Sequence, residues 1–263
     1  MSLRWRVATA LVRRHGKIRP LLPHGYHAYP AAGGWINLDV RESPMMLARA
    51  LRVYEPAKVR ALRRVLRPGM TFVDVGGNKG DFALIAAKAT GDNARVLCVE
   101  PAPENVAWIE RSVARNHYKS IEVLGVALTE RDGEDTLFLG PKSGWHTLVE
   151  DPSLIVGEIT VPTRTLDGVL AERNIDHVDV IKIDVEGAED RVLAGAATAF
   201  GGSHPMTVLL DLHPKRVDTL AVCDQLVAWG FEFRQLANIA QPLRDAPTAT
   251  TKEVVAVRTA SSR

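Results

Sequence analysis

Apolar positions recur along the chain with two different periods, and the alternation of those periods predicts the fold. Phe72, Val73 and Val75 form a short apolar run of the kind that fills a strand buried on both faces, and Phe82, Leu84, Ile85, Ala86 and Ala87 just after it carry a helical face. The pair of patterns then returns. A strand is expected over 95–100, then a helix opened by Pro103 with a stripe of Val106, Ile109 and Val113, then a short strand over 121–124. Four more core strands are expected at 178–183, 207–212, 231–233 and 254–257, with helices at 165–173 and from Pro214 to Gly230. Asp132-Gly133 marks a turn, with short strands at 136–139 and 159–161 beyond it. This alternation predicts an α/β domain: a mostly parallel, seven-stranded sheet with helices on both faces.

Before the first core strand, Val59, Leu62 and Leu66 mark a helix that Pro68-Gly69 ends. Residues 20–45 are dense in proline and glycine with Tyr26, Tyr29 and Trp35 interleaved, which predicts an irregular or short-stranded lead-in. The division that follows is an N-terminal extension over 1–50, serving as a lid or an oligomer contact, and a main domain over 51–263.

Chemistry enters where the first strand ends. Asp74 closes it, and Gly76, Gly77, Asn78 and Gly80 form a tight turn into the next helix, written D-x-G-x-N-x-G. The spacing is neither the G-x-G-x-x-G of dinucleotide sites nor the G-x-x-x-x-G-K-[ST] of phosphate loops. It is close to the turn that holds S-adenosylmethionine, a cationic amino acid joined to a nucleoside, for which a nearby acid is favourable and no phosphate cradle is needed. Asp74, Gly76, Asn78 and Gly80 are therefore candidate cofactor residues. Glu100, at the carboxyl end of the second strand, is placed to accept hydrogen bonds from both ribose hydroxyls.

A second chemical cluster follows the fourth strand. Asp184, Glu186 and Glu189 gather around its carboxyl end, the edge of a parallel sheet where ligands bind. Asp184 and Glu186 are candidate site residues, whereas Glu189 is expected to face water. His213, at the rim of the fifth strand, is the candidate general base, with Asp184 orienting it. A metal version of the same site would use Asp184, Asp211 and His213 as ligands for Mg²⁺ or Mn²⁺, although strand alternation can turn Asp211 into the core. His146, in a polar loop over 143–147, reads as a surface histidine.

Together these motifs resemble the FkbM family of S-adenosylmethionine-dependent methyltransferases over about residues 62–257. The resemblance rests on residues 72–80, on Val99-Glu100-Pro101, on Thr165-Leu166-Asp167, and above all on Ile181-Lys182-Ile183-Asp184-Val185-Glu186-Gly187-Ala188-Glu189. Lys79, usually apolar in such sequences, and Asp211, often Glu, are departures. The resemblance implies a Rossmann-like class I methyltransferase fold and O-methylation of a hydroxyl on a sugar, glycoside or related natural product. The weighed alternatives are a non-catalytic S-adenosylmethionine-binding partner subunit and a nucleic-acid methyltransferase.

Composition narrows the partners. The 263 residues are 46% hydrophobic and 24% charged with net charge +2, too slight a basic surplus to argue for nucleic acid. No stretch approaches the roughly 20 consecutive apolar residues of a membrane span. Residues 1–19 mix Arg4, Arg6, Arg13, Arg14, Lys17 and Arg19 with Leu3, Trp5, Val7, Leu11 and Val12, a pattern that fits a solvated helix or a peripheral membrane contact. Cys98 and Cys223 read as core thiols, and the expected compartment is cytoplasmic.

Overall fold

The fold was obtained as a computed structural model, which describes residues 3–260. The extension begins with two helices, α1 (Leu3–Arg13) and α2 (His15–Ile18), followed by a hairpin of β1 (His27–Ala31) and β2 (Gly34–Leu38) and by helix α3 (Pro44–Ala50). The main domain opens with α4 (Pro56–Val65) and then alternates β3 (Thr71–Val75), α5 (Asp81–Thr90), β4 (Arg95–Val99), α6 (Pro103–Asn116) and β5 (Ile121–Leu124). A three-stranded sheet of β6 (Ala127–Leu128), β7 (Gly133–Leu139) and β8 (Gly157–Arg164) intervenes, with order β6-β8-β7. The chain returns to the main sheet through α7 (Leu166–Glu172), β9 (Val180–Ile183), α8 (Glu189–Ala194), α9 (Ala197–Gly201) and β10 (Met206–Asp211). It finishes with α10 (Thr219–Ala228), β11 (Glu232–Gln235), β12 (Asn238–Pro242) and β13 (Glu253–Arg258).

The main sheet runs β12-β11-β13-β10-β9-β3-β4-β5. Its pairs from β10 to β5 are parallel, and β13 enters antiparallel between β10 and β11. This is the Rossmann-like class I methyltransferase fold, with one strand more than the seven expected. The eighth, β12, lies between the last two expected strands. Among the described residues it pairs only with β11, across a register shift between Arg234 and Gln235, and its five residues, of which Ile239 alone is half-buried, carry no apolar period from which a strand could be predicted.

Strand alternation divides the core. Val73, Val75, Ile181, Ile183, Val208 and Leu210 face α7–α10, while Phe72, Val96, Cys98, Val180 and Leu209 face α4 and α5. All residues of β3 and β9 are buried, as central parallel strands require. Because β3, β4 and β5 lead one way and β9 and β10 the other, the carboxyl ends of β3 and β9 flank a switch point where a crevice opens. β9 is the neighbour of β3, but β10 stands one strand further out, so Asp184 lies nearer the glycine turn in the sheet than His213 does.

The helix expected from Pro214 starts later, at Thr219. The Asp218 side chain caps it by accepting hydrogen bonds from the backbone N–H groups of Leu220 and Ala221 at 3.0 and 3.1 Å, and the residues between His213 and Asp218 remain a turn. That turn keeps His213 at the sheet rim. Cys98 and Cys223 are buried free thiols.

The extension packs on the main domain. Its core of Ile36, Leu38, Met46 and Leu47 is completed by Leu84 of α5, and Tyr26 stacks on Trp108 of α6 with ring centroids 3.9 Å apart. Lys79, the unusual residue of the glycine turn, is buried without exposed surface. Its ammonium donates to Tyr26 Oη at 2.8 Å and to Asn105 Oδ1 at 2.7 Å, tying turn, extension and α6 together.

Candidate active site

A cavity of about 950 Å³ opens over the carboxyl ends of the parallel strands. Gly76, Asn78 and Glu100 line one end of it, and Asp184, Glu186, Asp211 and His213 line another. The sequence therefore anticipates these seven residues of the lining.

At the cofactor end, the backbone turns sharply at Gly76, whose φ is +76°. A Cβ there would stand 1.9 Å from the carbonyl oxygen of Asp184, so only glycine lets β3 and β9 close up at this point. Asn78 also adopts positive φ, and its backbone N–H donates to Glu100 Oε2 at 2.8 Å. Glu100 Oε1 accepts from the Ala102 N–H at 3.0 Å and from Asn105 Nδ2 at 3.1 Å. A carboxylate offers about four acceptor directions, so three bonds leave one toward the cavity, not two. Burial raises the Glu100 pKa against these stabilising bonds.

Asp74 and Gly80 are not at the cavity wall. Asp74 is 1% exposed, accepts from the Ala83 N–H at 3.1 Å and sits 3.5 Å from Lys182 Nζ, its register partner on β9. Burial pushes its pKa up to about 6 in spite of Lys182. Gly80 precedes α5 at φ +83° and packs against Ile109. Both residues shape the turn from behind.

A strap covers the turn. The Ser143 N–H and Oγ donate to Glu42 Oε1 of the extension at 2.7 and 2.6 Å, and the Ser143 carbonyl accepts from Asn78 Nδ2 at 2.9 Å. Asn78 Oδ1 is left buried without a partner, an acceptor suited to a donor on a bound ligand. His146, expected at the surface, lines the cavity, and burial lowers its pKa.

At the other end, His213 Nδ1 lies 2.6 Å from Glu189 Oε1 and His213 Nε2 lies 3.3 Å from Glu186 Oε2. Glu189 is the residue that sequence reasoning sent to solvent. It opens α8 pointing back into the sheet and has no exposed surface, and it also accepts from the Gly187 N–H at 3.1 Å. The carboxylate that orients His213 is therefore Glu189 and not Asp184. Burial would lower the His213 pKa, but the bonds to Glu186 and Glu189 overcome it and raise it to about 10.

Glu186 has φ +56°, a left-handed backbone seldom adopted by glutamate. Its carbonyl is held by Thr147 Oγ1 at 2.8 Å and by Arg216 Nη1 at 3.0 Å. Asp184 does not cap a helix, because α8 starts only at Glu189. It lies 3.5 Å from Lys182, and although burial opposes ionisation, the charges of Lys182, Lys58 and His213 hold its pKa below the usual carboxylate range.

Asp184, Glu186 and His213 offer donor atoms that all lie within 4.8 Å of one another. Asp211 stands outside this group. It points neither into the core nor at His213, because Lys58 holds its Oδ1 at 2.5 Å, and burial beside Asp184 lifts its pKa to about 7. The second cation missed in the sequence is Lys182, although a lysine between Ile181 and Ile183 in a strand buried on both faces signals that an acid must sit beside it.

The methyltransferase FkbM domain model matches residues 74–233. The chain belongs to the FkbM methyltransferase family. It is 31% identical over 163 residues to the 31-O-demethyl-FK506 methyltransferase FkbM of Streptomyces tacrolimicus, which covers 51% of this chain and 62% of that protein. It is 24% identical over 181 residues to the 2-O-methyltransferase NoeI of Sinorhizobium fredii, covering 56% of this chain and 72% of NoeI. A segment of the AMB antimetabolite synthetase AmbE of Pseudomonas aeruginosa is 27% identical over 210 residues, 64% of this chain but 10% of AmbE. The FkbM-family chain thus spans less than two thirds of several relatives it matches. Among solved structures, the methyltransferase FkbM of Methylobacillus flagellatus KT aligns with TM-score 0.49 at 16% identity, over 95% of this chain and 60% of that one. S-adenosylmethionine is the cofactor of this methyltransferase domain, and the unpaired Asn78 Oδ1, the remaining acceptor direction of Glu100 and the Gly76 turn fit it. No helix among the described residues is long and apolar enough to cross a membrane.

Proposed function

We propose that the chain methylates a hydroxyl of a sugar, glycoside or related natural product, with Gly76, Asn78 and Glu100 holding S-adenosylmethionine and His213 receiving the hydroxyl proton. The observation that carries this reading is the buried Glu189 behind His213 at the mouth of the same cavity as the glycine turn. Relatives named for O-methylation, FkbM and NoeI, support the reaction class.

When bound, the cofactor supplies a methyl group on a sulfonium. The residues around it position the acceptor and manage one proton. Glu189 fixes the imidazole so that Nε2 faces the cavity, and it stabilises the positive charge that appears once Nε2 has taken the proton. Trp145 lines the cavity and gives the acceptor an apolar face to rest on.

The cost of this arrangement is that Glu186 keeps Nε2 protonated near neutral pH. A nitrogen that already carries a proton cannot accept another, so Nε2 must lose its proton before the acceptor is deprotonated. One way is a rise in pH. A second reading has a divalent cation, Mg²⁺ or Mn²⁺, held by Asp184, Glu186 and His213 Nε2, and the cluster within 4.8 Å favours it. Such an ion would lower the pKa of the acceptor hydroxyl.

The test is methyl transfer from labelled S-adenosylmethionine to a panel of glycosides, run with chelator and with added Mg²⁺ or Mn²⁺. Transfer to a hydroxyl supports the reading, and chelator-resistant transfer removes the cation from it. Binding of S-adenosylhomocysteine without transfer to any hydroxyl would favour the partner-subunit alternative.

A further inference from the structure

At the end of the sheet opposite the cavity, His177, Asp179 and His204 converge from the segments that lead into β9 and β10. Their donor atoms lie within 4.8 Å of one another. Asp179 Oδ1 is 3.1 Å from His204 Nε2, and Asp179 Oδ2 is 3.9 Å from His177 Nε2. The two rings lie against each other with centroids 3.7 Å apart and planes inclined by 32°.

The carboxylate is rigidly placed. The Asp179 N–H donates to the Thr71 carbonyl at 3.1 Å, its carbonyl accepts from the Thr207 N–H at 2.9 Å, and its Oδ2 accepts from the Thr71 N–H at 2.8 Å. One aspartate thus stitches the starts of β3, β9 and β10, and its Oδ1 is the oxygen left to face the imidazoles. His204 is anchored as well, because its carbonyl accepts from Arg258 Nε and Nη2, each at 3.0 Å.

We propose that His177, Asp179 and His204 form a site for Zn²⁺ or a similar imidazole-seeking divalent ion, separate from the methyl-transfer cavity. Two nitrogens and one carboxylate oxygen are the donor set that suits zinc and disfavours magnesium and calcium, which prefer oxygen ligands. The 3.1 Å between His204 Nε2 and Asp179 Oδ1 is close to the roughly 3.3 Å between ligands in a tetrahedral shell with bonds near 2.0–2.1 Å. His177 Nε2 stands 3.9 Å from the other carboxylate oxygen, Oδ2, and its side chain, 48% exposed, has room to turn toward the ion. Water completes the fourth position. Because the ligands precede two neighbouring strands, the ion clamps the amino-terminal edge of the sheet and leaves the cofactor turn untouched.

Zinc titration of the chelator-treated full chain by calorimetry tests this, with His177→Ala, His204→Ala, Asp179→Asn and His213→Ala in parallel. Loss of a ligand should cost at least the tenfold or so that loss of a supporting residue costs, so the first three substitutions are expected to weaken one zinc-binding event by about tenfold or more. His213→Ala, in the other cluster, is expected to leave that event unchanged. Asp179→Asn retains an oxygen for the Thr71 N–H, and the two histidine substitutions remove partly exposed rings, so each variant should melt normally without metal. Zinc should raise the melting temperature of the parent and of His213→Ala but not of His204→Ala. Undiminished zinc binding by His177→Ala and His204→Ala, loss of all binding in His213→Ala alone, or no zinc binding by the parent would each overturn the proposal.

Discussion

His213 Nδ1 lies 2.6 Å from Oε1 of Glu189, a carboxylate with no exposed surface. A buried acid with one oxygen on an imidazole and the other without a partner is costly to keep, and its position behind the rim histidine gives it a purpose in aiming Nε2. His213→Ala is expected to lower the rate of methyl transfer by about 10²–10⁴-fold, the usual contribution of a positioned base, while affinity for S-adenosylhomocysteine stays constant. Calorimetry beside a single-turnover assay checks this, and an unchanged rate would refute the role.

The same pair makes the reaction and the fold depend on pH. With His213 raised from 6.5 to about 10, metal-free activity should climb through the alkaline range, and a bound Mg²⁺ or Mn²⁺ should move the rising limb to lower pH. Stability runs the other way. The charged imidazolium stabilises the folded chain fully below pH 6.5, the contribution shrinks between 6.5 and 10, and above 10 it is gone. Denaturation midpoints measured from pH 6 to 10 should decline more steeply in the parent than in Glu189→Gln.

Gly76→Ala should abolish cofactor binding and lower stability by about 1–3 kcal/mol, because the new methyl group meets backbone, which cannot swing aside. Glu100→Ala should weaken S-adenosylhomocysteine binding with a smaller effect on the melting temperature. If both variants bind the ligand as the parent does, the cofactor lies elsewhere in the cavity.

Lys182 is 3% exposed and stands 3.5 Å from both Asp74 and Asp184. Lys182→Met keeps the length of the side chain and removes the charge, leaving the buried Asp74 without its cation, so a loss of roughly 3–5 kcal/mol is expected. Urea denaturation measures it, and recovery of part of the loss at acidic pH, where the acids become neutral, would identify charge as the cause.

Much of this architecture is legible in the sequence because central parallel strands are apolar on both faces and the glycine turn follows one of them directly. Gly76, Asn78, Glu100, Asp184, Glu186 and His213 all reach the cavity from strand ends that the apolar runs mark. Glu189 escaped because an acid at a helix start is usually solvated, and only the packing of α8 against the sheet turns it inward. Asp74 and Gly80 fit the motif, yet they act through the turn's shape, a difference that spacing alone cannot express. Asp211 could not be placed without Lys58, a partner distant in the sequence that α4 delivers to it. β12 was invisible because an exposed edge strand needs no apolar alternation.

The position of β13 carries a consequence for how the molecule assembles. β10 and β11 have no direct pairing, and each bonds to β13 instead, so the β11–β12 ribbon joins the sheet only through the strand that follows it in the chain. The antiparallel half is complete only when β13 threads between β10 and β11, and its register with β10 runs from Met206↔Arg258 to Asp211↔Glu253. Until β13 is in place, the edges of β10 and β11 that it covers lack a partner and are open to self-association.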